Sequence, residues 1–421
     1  MRGPTTRTIT TSPQAKARRA AGPLHAALWL LVVSVCINYI DRGNLSVAGV
    51  AVQREFHLTA TQLGWLLSGF FWTYAACQIP AGWLIDRFNV AWVYAGGFLL
   101  WSTATALTGV ATGFEMMFIL RLLLGVGESA SYPAYSKIIA AGFREERRGM
   151  ANGLIDAGSK LGPALGVLIC GAILATLGWR AIFLIIGLTS LLWLIPWAMV
   201  ARKLTVVAEV ASEGECAPGL LDIARHRDAW GTFLGLFCSN YGWYFMVTWL
   251  PQYFMIERHY SAATMARLGS LPFWFVALGA VLGGWAADRW VARCGNPTRV
   301  RKSFVGGGLI LFSVLFMPAV WVDREAIALP ILLAASFCMG LFSANVWAIT
   351  QRLAGPLAAG KWTGMQNCSG NLAGIVVPVV TGHILDATGR FELAFASVCA
   401  VVLVGAFSFL VIVRKVEPLR F

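Results

Sequence analysis

The chain has 421 residues, of which 58% are hydrophobic and 13% charged, and its mean hydropathy is +0.68. A soluble domain carries roughly 25% charged residues, so this composition excludes a water-soluble fold: the apolar surface exceeds what one core can bury, and the solvent has to be lipid. The net charge of +13 does not point to nucleic acid, because the basic residues cluster at the ends of apolar runs and form no stripe that could follow a phosphate backbone.

The first 26 residues read as a disordered cytoplasmic tail: Arg2, Arg7, Lys16, Arg18 and Arg19 stand among Ser, Thr and Pro with no acid. The apolar run that follows is long enough to span a bilayer and has no small-residue cleavage site, which argues against a removed signal peptide. Twelve apolar runs are legible, at about 27–51, 62–85, 90–111, 114–141, 149–176, 179–201, 229–256, 263–287, 302–322, 326–350, 362–385 and 391–413. The polar stretch 204–227, with Glu209, Glu213, Glu215, Pro218 and Gly219, reads as a cytoplasmic linker. It divides the chain into six-helix bundles over 27–203 and 228–421, the second ending in a short cytoplasmic tail.

An even number of spans puts both termini on one side, and most Lys and Arg fall on that side, which marks it as cytoplasmic. The opposite side holds Arg54, Arg180, Arg258, Arg267, Arg324 and Arg390, while Arg42, Arg121, Lys137 and Lys160 fall within helices. The halves repeat. Asn38-Tyr39 recurs as Asn240-Tyr241 and GWLIDR (Gly82 to Arg87) as GWAADR (Gly284 to Arg289), and Gly149-Met150, Asn152 and Pro163 recur as Gly364-Met365, Asn367 and Pro378. Two parallel halves of this kind enclose a central cavity where a ligand meets both.

Gly82, Asp86 and Arg87, repeated as Gly284, Asp288 and Arg289, suit a sliding interface: glycine admits a neighbouring helix, and the charges pair with helix ends. This motif resembles the signature loop of the major facilitator superfamily, and the twelve-helix plan is similar over the whole chain. The basic residues that usually follow are replaced by Phe88, Asn89, Val90 and Ala91.

Charge inside the helices is the stronger signal. Asp41 and Arg42 lie near the centre of the first span, Arg121 and Glu128 two turns apart in the fourth, and Asp156 and Lys160 at i,i+4 in the fifth. A charge at mid-bilayer costs roughly 2.5–3.5 kcal/mol, so the six must face one another or water. Their formal charges cancel, which also suits a structural ion-pair network, but the second half builds its bundle without any.

The segments NYIDRGNLSVA and RLLLGVGESASYPA resemble the anion:cation symporter family, whose bacterial members include proton-coupled galactonate, glucarate and hexuronate importers. The resemblance implies that Asp41 and Glu128 carry protons and that Arg42 and Arg121 bind the substrate. It places Tyr39, Tyr74, Trp347 and Asn367 along a sugar-acid site, although each aromatic also suits core packing. Lys160 departs from the galactonate pattern; it either anchors a second carboxylate or is neutralised by Asp156. Gly149, Gly158, Gly162, Pro163 and Gly166 match much of a glycine pattern of drug:proton antiporters, and read here as helix-packing residues.

The reading is therefore an all-α membrane protein of twelve helices in two halves, a monomeric proton-coupled importer of a small organic anion, a sugar acid or related carboxylate, in a bacterial inner membrane. A proton-driven efflux antiporter and an anion channel are the alternatives. No nucleophile, base and orienting group converge with recognisable spacing, so it is not read as an enzyme. The nine cysteines and five histidines form no ligand cluster, and neither metal nor cofactor is expected.

Overall fold

Every apolar run forms helix, because a backbone in lipid has to satisfy its own hydrogen bonds. The computed structural model describes residues 13–143, 145–204, 218–294 and 296–419. The N-half comprises α1 (Pro13–Phe56), α2 (Ala60–Arg87), α3 (Val90–Thr108), α4 (Phe114–Glu128), α5 (Ser131–Gly142), α6 (Glu145–Leu177), α7 (Trp179–Leu191) and α8 (Leu194–Ala201). A short α9 (Leu220–Ala224) precedes the C-half: α10 (Arg227–Thr248), α11 (Leu250–Ile256), α12 (Ala262–Cys294), α13 (Pro297–Phe316), α14 (Pro318–Trp321), α15 (Glu325–Thr388) and α16 (Phe391–Phe407).

These elements make twelve spans. The pairs α4–α5, α7–α8, α10–α11 and α13–α14 are each one span with a break, at Pro251 and Pro318 for the last two, since proline opens a helix and cannot continue one. Conversely α15 is two spans run together, interrupted at Gly355 with φ 62° and ψ 178°, a backbone conformation that essentially only glycine adopts. Among the described residues nine helical stretches are individually long and apolar enough to cross a membrane. The remaining spans are α2, α4–α5 and α10–α11, whose polar residues and breaks lower their hydropathy.

Two features depart from the sequence reading. α1 begins at Pro13, inside the stretch read as a disordered tail: Ala15, Lys16, Ala17, Arg18 and Arg19 are good helix formers, and proline suits a first turn. The linker contains helix α9, with its exposed Leu220 and Leu221; residues 205–217, including Glu209, Glu213 and Glu215, lie outside the described residues.

Within the N-half, α3 and α4 cross at Gly97 and Gly127, where a Cβ on either would meet the other's carbonyl oxygen at 2.6–2.7 Å. This contact lets α4 carry Glu128 into the interior. The halves meet at the end of the bundle that holds the α1–α2 turn. Asp386 accepts from Ala60 N (2.8 Å) and Thr61 N (2.7 Å), capping α2 from the other half. Deeper in, Ser68 Oγ donates to Ile375 O, Ser46 Oγ to Thr248 O, and Gln252 Nε2 to Ser46 O. Among the described residues every hydrogen bond between the halves falls in this zone, so the bundle is sealed at the turn end.

Candidate substrate and proton site

One turn below that seal, α1 delivers Asp41 and Arg42 on adjacent faces. Arg42 is 5% exposed and Glu128 fully buried, and Arg42 Nε donates to Glu128 Oε2 at 2.9 Å. The guanidinium carbon lies 4.6 Å from the ring centres of Tyr39 and Tyr74 and 4.9 Å from that of Phe70. Phe70 and Tyr74, one turn apart on α2, stack at 5.1 Å. A flat cation held among aromatic faces is stabilised by their quadrupoles while its edge stays free for hydrogen bonds. Arg42 Nη2 and Glu128 Oε1 have no protein partner.

The second arginine is held differently. Arg121 on α4 donates from Nε to Leu66 O (3.3 Å) and from Nη1 to Asp41 O (3.4 Å), both backbone carbonyls. Asp41 itself is fully buried and forms no ion pair among the described residues; its carboxyl accepts a 3.4 Å bond from Asn44 Nδ2. Sequence reasoning treated the two acid–base pairs alike; the fold makes one ion pair and leaves the other carboxyl without one.

Asp156 and Lys160 do not pair. Asp156 is exposed and its backbone carbonyl accepts from Ser159 Oγ at 2.7 Å, whereas Lys160 points across the interface with its Nζ 5.3 Å from the ring centre of Trp243 on α10. The i,i+4 spacing permits a pair, but α6 turns the two side chains to different surroundings. Tyr39 also bonds through its hydroxyl to Tyr132 (3.3 Å). Trp347 is half-buried against the core, and Asn367 is half-buried with its carbonyl accepting from Asn371 Nδ2 at 3.0 Å.

Tyr244 was not singled out by the sequence. Its hydroxyl donates to Asn371 Oδ1 at 2.7 Å and its ring meets Phe71 of the other half at 4.6 Å. The signal was present in the repeat: the register that pairs Asn38 with Asn240 pairs Asp41 with Trp243 and Arg42 with Tyr244. The C-half thus answers the acid–base pair of α1 with two aromatic residues. The buried polar residues Asn38, Ser102 and Thr105 were also missed, because neutral residues in an apolar run carry no charge signal.

The signature loops lie at the opposite end. Arg87 sits 5.4 Å from the Trp83 ring and Arg289 5.5 Å from the Trp285 ring, the same pair in both halves. Asp288 accepts from Arg301 Nη2 at 2.5 Å, and Arg301 Nη1 donates to Asn345 Oδ1 at 2.7 Å, which ties α12, α13 and α15 together. In the first half Lys137 Nζ donates to Ile85 O at 2.7 Å. Gly82 and Gly284 lie one turn before these charges on α2 and α12; the Asp86 side chain lies outside the described residues.

A buried cluster of charges beneath the seam of two six-helix halves, closed at one end by contacts between them, is the arrangement of a multi-pass membrane transporter. The chain belongs to the Major Facilitator Superfamily, whose family model matches residues 31–378 and 268–420. The fold is similar to the crystal structure of a bacterial homologue of the human lysosomal transporter Spinster in an inward-facing and occupied conformation, with TM-score 0.74 and 18% identity, covering 92% of this chain and 93% of that one. Among curated proteins, the chain is 29% identical over 417 residues to the D-galactonate transporter of Escherichia coli O6:H1, covering 93% and 96% of the two chains. It is 32% identical over 403 residues to the probable sulfoacetate transporter SauU of Cupriavidus necator (92% and 93%). It is 27% identical over 424 residues to the probable galactarate/D-glucarate transporter GarP of Escherichia coli K12 (93% and 95%).

Proposed function

We propose that this protein imports a small organic acid, a sugar acid or related carboxylate, together with protons, across a bacterial inner membrane, with its termini in the cytoplasm. The observation that carries the reading is the Arg42–Glu128 pair, buried beneath the seal with one guanidinium nitrogen and one carboxylate oxygen unpaired. A substrate carboxylate that grips Arg42 through two parallel bonds competes with Glu128 for the same cation. A buried carboxylate that loses its cation becomes costly to keep ionised, so Glu128 takes up a proton as substrate binds. Asp41, without an ion pair of its own, serves as the second proton carrier.

Tyr39 and Tyr74 hold the guanidinium flat, Arg121 adds positive potential from its carbonyl seat, and Trp347, Asn367 and Tyr244 present the C-half's share of the site. Lys160, close to Trp243, anchors a second acidic group where the substrate has one. The turn end faces outward and is closed in this conformation, and rocking of the halves, pivoting on the signature loops, opens it. The relatives are named as a D-galactonate transporter, a probable galactarate/D-glucarate transporter and a probable sulfoacetate transporter, all with acids as substrates, which supports the substrate class. The test is uptake into proteoliposomes of labelled D-galactonate, galactarate and sulfoacetate, with and without an inward proton gradient. Saturable uptake of one of them that the gradient drives uphill is expected; uptake indifferent to the gradient overturns proton coupling, and substrate leaving the preloaded lumen as protons enter marks an exporter.

A further inference from the structure

The interior of the N-half holds polar atoms that its own hydrogen bonds do not use. On α1 both side-chain atoms of Asn38, Asp41 Oδ2 and Asn44 Oδ1 are buried with no protein partner. The same is true of Trp101 Nε1, Ser102 Oγ and Thr105 Oγ1 on α3, and of Glu128 Oε1 and Ser131 Oγ where α4 meets α5. Buried polar atoms almost always find a partner, and where protein supplies none, ordered water does.

The helices place these atoms in register. α1 and α3 run in the same direction and α4–α5 in the opposite one, so Thr105 neighbours the Asp41 carboxyl, Asn38 neighbours Glu128, and Ser131 neighbours Tyr135. These neighbours face one another, yet none of the atoms named above completes a well-formed direct hydrogen bond, and buried polar groups left so are the sites that bridging water fills. Toward the termini the seam ends in a closed triad: Tyr94 donates to Ser34 at 2.6 Å, and its hydroxyl lies 3.0 Å from that of Tyr135. On its other side it is walled by Arg42 on Glu128 and by Arg121 on the Asp41 carbonyl, and Cys170 of α6 lies beside Asp41.

We infer that this seam between α1, α3 and α4 holds a chain of buried waters joining Asp41 to Glu128, along which a proton passes between the two carboxyls apart from the substrate's route. The inference rests on the proton-coupled reading above. In the step, neutral Asp41 gives its proton to the adjoining water while the water at the other end gives one to the Glu128 carboxylate. Asp41 is left as the anion and Glu128 as the acid, with the charge of the site unchanged. The substrate, by taking Arg42 from Glu128, sets the direction.

The experiment uses the full chain with Ser102→Ala and Thr105→Val, which remove two seam hydroxyls without touching the arginines or the aromatic cage. In proteoliposomes the double variant should exchange D-galactonate within about twofold of the parent rate, while accumulation driven by a proton gradient falls at least tenfold; Thr105→Ser should restore it. Hydroxyl-radical footprinting, which marks side chains next to bound water, should modify buried Trp101 in the parent protein. Intact accumulation in the folded double variant, or an unmarked Trp101 in the parent, overturns the seam. If the variants fail to fold, the parent footprint decides. Parent protein that ignores the proton gradient but shows the Trp101 mark refutes the coupling reading and leaves the hydrated seam standing.

Discussion

Replacing each arginine by lysine separates two residues that look equivalent in the sequence. Arg42 donates from Nε to a fully buried carboxylate at 2.9 Å and lies against three aromatic rings. Lysine has no planar fork to lie among those rings, and its ammonium reaches one partner at a time. A hydrogen bond to a charged group contributes about 1.5–3 kcal/mol, so Arg42→Lys should weaken binding of the transported acid by a factor of about 10–150. Arg121 donates only to neutral carbonyls, at 3.3 and 3.4 Å. These bonds are charged on the donor side only, long, and made to backbone carbonyls that an ammonium can also reach, so Arg121→Lys should cost less than Arg42→Lys, below about tenfold. Titration calorimetry of the purified protein with whichever acid it accumulates measures both. A double cycle of Arg42→Lys with Glu128→Gln should also show coupling, since the two side chains share one bond across 86 residues of chain. Near-parental affinity in Arg42→Lys, or a larger loss in Arg121→Lys, would refute the assignment of Arg42 as the primary carboxylate grip.

Asp41→Asn and Glu128→Gln should each abolish accumulation driven by protons while exchange survives, because an amide cannot carry a proton across; undiminished uphill uptake in either one removes that residue from the coupling. Lys160→Ala should reduce transport of galactarate far more than that of galactonate, and adding Asp156→Ala should not rescue it, since Asp156 is exposed and the two do not pair; rescue in the double variant would show that Lys160 merely balances charge. Asp386→Ala removes two hydrogen bonds that cap α2 from the other half, a loss of about 0.5–2 kcal/mol for a helix cap. The sealed conformation should lose population several-fold, read as a longer distance between spin labels at His57 and Arg390, and an unchanged distance distribution would show that the seal does not depend on this cap.

The twelve spans were readable because lipid imposes length and hydropathy on every one of them, and the two halves because a repeat leaves residues at a constant offset. The charged residues of the site were equally plain, since ionisable groups are costly in a bilayer and stand out from apolar neighbours. Their connections were not. Whether Glu128 pairs with Arg42 or with Arg121, two turns away on its own helix, depends on how α1 is set against α4, a helix that the close crossing at Gly97 and Gly127 holds against α3. Lys160 meets Trp243 rather than Asp156 because packing of α6 against the C-half outweighs i,i+4 proximity in deciding where a long side chain points. Asn38, Ser102 and Thr105 gain their importance only from facing buried carboxyls. Composition and periodicity therefore settle which segments enter the membrane and which charges must be sheltered there, while the choice of partner for each charge belongs to the tertiary structure, because it rests on contacts between helices that are distant along the chain.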